Sequence, residues 1–367
     1  MYDFLIVGSG LFGATFANQA IKAGKKCLVI DKRSHIAGNC YTRSESGIDV
    51  HVYGPHIFHT SNKAIWNFVN ENAEFHQTRF KPKVFYKDRI FSFPINLMTL
   101  HQLWGVTTPE EAEIKLAEVR VPCENPRNLE EWTLSQVGRE IYETFIYGYT
   151  KKQWMREPRD LPASIIKRIP IRKTYNDDYF DDEYQGVPIG GYTRMFESML
   201  DGCDVGLEED FFKKRDYWER SAKKVVYTGK IDEYFNYSFG ELEYRTLDFD
   251  HNTKSGDHQG CAVLNFTDEK IPHTRITEHK HFYSRRSEKA DTTVWTRETP
   301  SEWNRDKVPY YPIGDEKNLN IYRRYKEAAD RTENVTFGGR LSEYKYYDMH
   351  QIIGSALHSS RLLLEKA

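Results

Sequence analysis

Residues 4–33 read FLIVGSGLFGATFANQAIKAGKKCLVIDKR, and this stretch decides the fold. A short apolar run, Phe4–Val7, has the character of a buried strand. Gly8-x-Gly10-x-x-Gly13 follows, then a stretch of helical period to about Ala23, then a second apolar run, Cys27–Ile30, ending in Asp31. Each glycine has its own physical task. Gly8 permits the tight turn, Gly10 lets the backbone approach a pyrophosphate, and Gly13 lets helix and strand pack closely. The helix N-terminus adds unpaired N–H groups and a positive dipole end to the phosphates. Asp31 stands about 20 residues on, where a carboxylate can accept ribose hydroxyls. The glycine triplet alone is weak. Strand, glycines, helix, second strand and acid in this order predict a Rossmann-like α/β domain that binds a dinucleotide.

Three features favour FAD over NAD. After Asp31 comes KRSHIAGN, a basic pair followed by Gly38-Asn39, which continues along a long dinucleotide. No second GxGxxG occurs, since GVPIGGY at 186–192 has the wrong spacing. Residues 334–360, NVTFGGRLSEYKYYDMHQIIGSALHSS, read as strand, glycine turn and helix, with Asp348 as N-cap and the helix running from about Met349. A second helix N-terminus of this kind suits the electron-rich end of a flavin ring. On its own, the same segment reads as an ordinary C-terminal helix.

At 367 residues the chain exceeds the size at which single cores usually stop growing, so two or three domains are expected. The formal net charge of −2 gives no electrostatic case for nucleic acid or an anionic membrane surface. The 24 Tyr, 21 Phe and 7 Trp are the informative excess, because tyrosine offers both a stacking face and a hydroxyl to ringed, phosphorylated ligands. The five cysteines (Cys27, Cys40, Cys123, Cys203, Cys261) are scattered without a CxxC pair, which indicates neither a disulfide framework nor a zinc site. Met1 leads directly into a strand-like run, and no run approaches the ~18 apolar residues of a membrane span. A cytoplasmic protein without stable membrane association is expected.

Three domains follow from the pattern. Residues 1–80, 185–235 and 330–367 make a discontinuous FAD-binding domain, to which KKVVYTG (223–229) and NVTFGG (334–339) add parallel strands. Residues 96–165 form a helical bundle, with Thr108-Pro109-Glu110-Glu111 and Asn128 with Glu131 as helix starts. Residues 81–95, 166–184 and 236–329 form an antiparallel sheet domain, with a hairpin turning at Lys87-Asp88 and a mobile lid near 166–184.

GPHIFHT (54–60) places His56 and His59 three apart, a spacing open to a metal, a proton relay or a cofactor wall. Phe145, Tyr149 and Trp154 in FIYGYTKKQW fall roughly on one side of a persisting helix, as a ligand platform or a core stripe. Arg168 and Arg172, then Tyr179, then Gly190-Gly191, fit a lid closing over an anion or a solvated loop. In HTRITEHKHFY a two-residue period puts Arg275, Thr277, His279 and His281 on one face. No cysteine partners these histidines and no carboxylate obviously converges on them, so no metal site is expected.

Taken together, IVGSGLFGA, GPHIFHT, GYTKKQW, IIKRIP, IPHTRI and FGGRLSEYKYYDMHQ resemble the bacterial UDP-galactopyranose mutase family along essentially the whole chain. The resemblance implies FAD, active when reduced, and a homodimer. It also implies interconversion of UDP-galactopyranose and UDP-galactofuranose by attack of flavin N5 on the anomeric carbon, serving galactofuranose-containing cell-surface polysaccharide. By matching motif, Tyr149 would stack on the uracil with Phe145 nearby, and Trp154 would line the sugar pocket. Arg168 and Arg275 would neutralise the diphosphate, and Tyr179, Tyr311 and Tyr346 would hydrogen-bond it. Arg340 and Asp348 would sit near flavin and sugar, with His56 and His59 flanking the flavin rather than a metal. Gly8, Gly10, Phe12, Gly13, Asp31, Lys32, Gly38, Asn39, Thr228 and Met349 complete the expected cofactor set. The chain departs from the family at Met155 and Ala37, where Gly is usual, at Pro55 for Ala, and at Phe80, often Asn. These departures bear on sugar selectivity. An FAD oxidase of the amine-oxidase type and a non-catalytic nucleotide-sugar sensor are the competing readings.

Overall fold

The computed structural model describes residues 1–167, 169–283 and 291–365. Five parallel strands run in the order Asp204–Leu207, Cys27–Asp31, Tyr2–Val7, Ala222–Tyr227, Val335–Phe337. The central strand Tyr2–Val7 is apolar on both faces because both are covered. Phe4 and Ile6 pack with Phe16, Ala17 and Ala20 of helix Leu11–Lys22 and with Ile353 of helix Met349–Leu364. Leu5 lies on the other side with Phe211, Trp218 and Tyr234. Both glycine-ended strands read from the sequence join this sheet as expected. The edge strand Asp204–Leu207 was not expected, being largely exposed and without an apolar period.

The helical segment begins as its caps dictate. Thr108 and Glu111 form a reciprocal capping box at the start of Pro109–Val119, and Asn128 accepts from the Glu131 N–H at 2.9 Å to open Leu129–Ile141. A π-helical turn, Tyr142–Tyr147, separates that helix from Gly148–Trp154. The continuous helix assumed for Phe145, Tyr149 and Trp154 is therefore interrupted, and the wider turn changes the phase between the first ring and the other two.

A seven-stranded sheet has the order Tyr311–Pro312, Tyr244–Ser255, Thr292–Glu302, Arg275–Glu278, Val263–Phe266, Lys83–Tyr86, Arg89–Ser92. The hairpin turns at Lys87 and Asp88, whose φ values of 46° and 62° are those of a tight primed turn. The expected antiparallel pairing needs one correction: Val263–Phe266 runs parallel to Lys83–Tyr86. The hairpin comes from an earlier part of the chain and docks on an edge, so no turn constrains its direction. Among the described residues, 166–184 contribute no strand to this sheet. Tyr184 instead opens the strand Tyr184–Pro188 of a separate three-stranded sheet, between Phe58–Thr60 and Phe75–Gln77.

Both glycine-to-larger departures fall where the backbone is left-handed. Ala37 has φ 72° and Met155 has φ 50°. Met155 ends helix Gly148–Trp154 and is 43% exposed, so its side chain gains little from packing. A non-glycine residue in this region costs about 1–2 kcal/mol. Met155→Gly is expected to raise stability by about 1 kcal/mol, read as an upward shift of the urea midpoint. No shift would mean that the strain is offset elsewhere.

Several buried or half-buried histidines are held neutral. Burial pushes His56 and His273 down to about 4 and His279 to about 3, and pushes His51 well below its ordinary range. Because the folded values lie below the ordinary ~6.5, the unfolded chain binds more protons between about pH 4 and 6.5. This stability is fully present above that window and is lost as pH falls through it. Urea midpoints should decline from pH 6.5 to 4.5, with proton uptake on unfolding. A flat profile would contradict burial of neutral imidazoles.

Candidate active site

The glycine loop builds the first wall. A Cβ on Gly8 (φ +105°) would lie 2.1 Å from Thr228 Oγ1, and one on Gly13 would lie 2.0 Å from the Gly8 carbonyl oxygen. At Gly10, by contrast, a Cβ would meet nothing within 4 Å. That open ground lies at the start of helix Leu11–Lys22, where backbone N–H groups are unpaired. Gly38 comes back to it, its ideal Cβ 3.0 Å from Gly10 Cα. Thr228 donates its hydroxyl to the Val7 carbonyl at 2.8 Å, and the Phe12 ring fills the space over Gly338. Lys32 is exposed.

Asp31 is differently engaged from what its spacing suggested. It accepts from the Ser9 N–H at 2.9 Å, the Ser9 hydroxyl at 2.7 Å and the Arg33 N–H at 3.0 Å, so it shapes the loop itself. Arg33, absent from the expected set, donates Nη2 to Asn39 at 2.8 Å and lies over the Tyr53 ring. Among the described residues its buried Nη1 has no partner, and neither does the buried Nε of Arg340. Arg340 is otherwise held by the carbonyls of Tyr310 (3.1 Å) and Tyr347 (2.8 Å). Open ground at Gly10, a helix N-terminus and two unsatisfied guanidinium N–H groups fit the phosphates and polar edge of a dinucleotide.

A charged and aromatic cluster forms the second wall. Arg275 Nε donates to Glu298 at 2.7 Å across neighbouring strands, and Glu298 is fully buried. Burial opposes the Arg275 charge, but Glu298 outweighs it and raises the guanidinium's hold on its proton. Tyr149 and Tyr311 are electrostatic neighbours of this pair. Burial pushes the Tyr311 phenol up to about 12 and raises that of Tyr149, so both hydroxyls stay protonated donors. Tyr311 stacks on Tyr346 at 5.5 Å, and Arg340 lies over the Tyr346 ring. Gly54 closes against the pair, its ideal Cβ 3.4 Å from Arg275 Nη2.

The two histidines of GPHIFHT face different neighbours. His56 Nδ1 lies 2.8 Å from the Gly54 carbonyl, which can only accept, so Nδ1 carries the proton and Nε2 is bare. Burial, with Arg340 and Arg275 as neighbouring cations, keeps this ring neutral. His59 Nδ1 lies 2.5 Å from Asp182 Oδ2, and its ring stacks on Phe180 at 3.6 Å. Asp348 opens helix Met349–Leu364 as expected, its N–H held by the Gln351 side chain at 3.0 Å. Met349 contacts the Cys40 thiol.

Other expected residues lie further out. Arg168 is outside the described residues. Phe145 is 2% exposed in the helical core, meeting Phe91 at 5.2 Å and Phe93 at 6.3 Å, whereas Trp154 is half-buried at that core's margin. Tyr179 packs its ring on Phe80 and Phe93, and its N–H donates to the Phe80 carbonyl at 2.8 Å. Arg172 is tied to Asp178 and Asp181 within its own segment.

His279 and His281 do not share a face, because the strand ends at Glu278 and a 3-10 turn follows. His279 bonds the Thr296 hydroxyl at 2.7 Å. His281 meets Glu278 and Asp257, two carboxylates that converge where the sequence showed none. Glu278 already accepts from the N–H groups of His258, Gln259 and Gly260 and the Thr293 hydroxyl, all within 3.0 Å, which accounts for its lone pairs. The Lys280 ammonium sits on Asp257. Sequence reasoning also missed Lys152, whose Nζ lies 2.8–3.0 Å from the carbonyls of Phe266, Asp268, Ile271 and His273. This buried ammonium fastens the Tyr149 helix to the loop before Arg275. Only its place in GYTKKQW could have marked it.

Comparison with known proteins agrees with this geometry. A family model described as UDP-galactopyranose mutase matches residues 144–346, and one described as an NAD(P)-binding Rossmann-like domain matches residues 6–71. A probable UDP-galactopyranose mutase of Klebsiella pneumoniae is 40% identical over 366 residues, covering 98% of this chain and 94% of that protein. The dTDP-fucopyranose mutase of Escherichia coli is 38% identical over 380 residues, covering 100% of this chain and 99% of that protein. A crystal structure of reduced UDP-galactopyranose mutase shares the fold with a TM-score of 0.79 at 13% identity, over 100% of this chain and 94% of the other. Its relatives align along nearly their whole length and the family model spans the Tyr149, Arg275 and Tyr311 cluster, so the chain belongs to the UDP-galactopyranose mutase family and is an FAD enzyme.

Proposed function

We propose that this enzyme interconverts UDP-galactopyranose and UDP-galactofuranose, acting as a cytoplasmic homodimer. The observation that carries the reading is the Arg275–Glu298 pair beside Tyr149, Tyr311 and Tyr346, next to the dinucleotide loop. Reduced FAD, when bound, supplies a nucleophilic ring nitrogen for the anomeric carbon. The chain's own residues do the rest. Arg275, held in place by Glu298 and kept protonated, neutralises the departing diphosphate, with Arg340 as a second cation. The phenols of Tyr311, Tyr346 and Tyr179 hydrogen-bond its oxygens. Tyr149 offers a stacking face to the base, and Trp154 borders the sugar. Neutral His56 presents Nε2 as an acceptor. Arg168 belongs to the same reading as a lid cation, on family resemblance.

A second reading concerns the sugar. Phe80 meets Tyr179 at 5.5 Å and Phe180 at 6.0 Å, making an apolar wall where the family often has Asn. An apolar ring would leave a 6-hydroxyl without a partner and would tolerate a 6-deoxyhexose. The E. coli relative is by name a mutase of dTDP-fucopyranose, a 6-deoxy sugar. Either substrate suits the same chemistry.

Dithionite-reduced protein is expected to convert UDP-galactofuranose to the pyranose isomer without releasing hydrogen peroxide. Peroxide with net substrate oxidation would instead establish the oxidase reading, and UDP binding without turnover of either sugar would establish the sensor. The ratio of kcat/KM for dTDP-fucopyranose and UDP-galactopyranose separates the two substrates. Arg275→Met should lower kcat/KM by at least about 100-fold with the flavin spectrum unchanged. A smaller loss would remove Arg275 from the leaving-group role.

A further inference from the structure

Converting a pyranose to a furanose breaks the bond from C1 to O5, forms one from C1 to O4, and moves one proton from O4 to O5. No proton is gained or lost overall. One acceptor atom that takes the O4 proton and returns it to O5 satisfies the balance. His59 lies on strand Phe58–Thr60 and is 6% exposed. Its partner Asp182 was not among the residues the sequence singled out.

Asp182 is oriented rather than loose. Oδ2 lies 2.5 Å from His59 Nδ1, and Oδ1 accepts from the Ser61 hydroxyl at 2.7 Å. Its carbonyl accepts from Arg79 Nη1 at 2.8 Å and Gln185 Nε2 at 2.9 Å, which fixes the backbone beneath the carboxylate. Burial raises the Asp182 carboxyl, but hydrogen bonds from His59 and Ser61 outweigh it and hold the group below the usual carboxylate range. An ionised carboxylate only accepts, so Nδ1 carries a proton, and Nε2 is the ring nitrogen left to exchange one. Phe180, 3.6 Å away and 9° from parallel, covers one face of the ring, and His350 meets it edge-on at 5.0 Å. The groups facing His59 are the anion Asp182 on the 177–183 segment and, on the Met349–Leu364 helix, His350 with Asp348 beside it. Burial, with His59 as neighbour, lowers His350 and keeps it neutral.

We propose that Asp182 is a positioning residue for His59, fixing the proton on Nδ1 so that Nε2 can take the O4 proton and deliver it to O5. This rests on the mutase reading above. The imidazolium formed in between has Asp182 as its counter-ion. A merely structural tie between the 177–183 segment and the strand would make different demands, since its loss would weaken folding or binding and leave the chemical step alone.

The test compares the reduced wild-type enzyme with Asp182→Asn and Asp182→Ala. The expected result is a fall in kcat of roughly 100-fold, with KM within about twofold and the flavin spectrum unchanged. Nitrogen-15 spectra of histidine-labelled protein read the tautomer without turnover. His59 should be protonated on Nδ1 in the wild type and lose that preference in both variants. Asp182→Asn is nearly isosteric and keeps the test valid if the Ala variant does not fold. A kcat within twofold of wild type, loss confined to KM or to flavin retention, or an unchanged tautomer would each overturn the proposal. Wild-type enzyme that turns over neither nucleotide sugar would sink the mutase reading instead, and the labelled spectra would still decide the tautomer.

Discussion

A charge pair within the seven-stranded sheet organises the rest. Arg275 and Glu298 stand opposite each other on adjacent strands, and Glu298 has no exposed surface. Two charges taken from water cost several kcal/mol each, and the pair persists only with good geometry and satisfied lone pairs. The structure meets both conditions. Oε2 takes Arg275 Nε at 2.7 Å, and Oε1 takes the Thr277 hydroxyl at 3.4 Å. The neighbouring layers are cut to fit the pair. Gly54 is small where the guanidinium passes, and Tyr149 comes in on a helix that Lys152 secures to the strand's own approach loop. The cation is stationary because the sheet holds it, so a departing diphosphate finds charge already in place and oriented.

The dinucleotide domain was legible because its information is local. Gly8 and Gly13 are each required by a close contact, with Thr228 and with the Gly8 carbonyl, and Gly10 leaves open ground between them. Helix starts at Thr108, Asn128 and Asp348 were legible for the same reason, since a cap is written within four residues. Pairings between distant segments were not. Nothing in VFYKDRIF specifies that Lys83–Tyr86 will lie parallel to Val263–Phe266, because the partner is remote and no turn joins them. Asp204–Leu207 escaped notice because an exposed edge strand needs no apolar alternation.

The site divides along the same line. Arg275, Tyr311, Arg340 and Asp348 could be named by resemblance, yet their supports could not. Glu298 and Asp182 lie in no quoted motif, Lys152 lies in one that does not disclose its task, and each of them, like Arg33, acts through a partner far along the chain or by folding back on its own loop. Spacing misled where regular structure stopped. His279 and His281 would share a face only if the strand ran on, and the turn after Glu278 separates them. Phe145 would flank Tyr149 only if one helix spanned both, and the π turn breaks that phase.

Burial acts on every ionisable group of the site in the same sense, favouring the neutral form, so which groups keep a charge depends on what faces them. Arg275 faces Glu298 and stays a cation. His56 faces Arg340 and Arg275 and stays neutral. The phenols of Tyr149 and Tyr311 have a buried carboxylate for a neighbour and hold their protons. The buried Glu298 thus keeps Arg275 charged, while burial keeps the two phenols and the His56 imidazole uncharged. An isomerisation without net redox change asks for this division. The leaving group needs permanent charge, whereas the hydroxyls that exchange places in the ring need groups able to accept a proton and give it back.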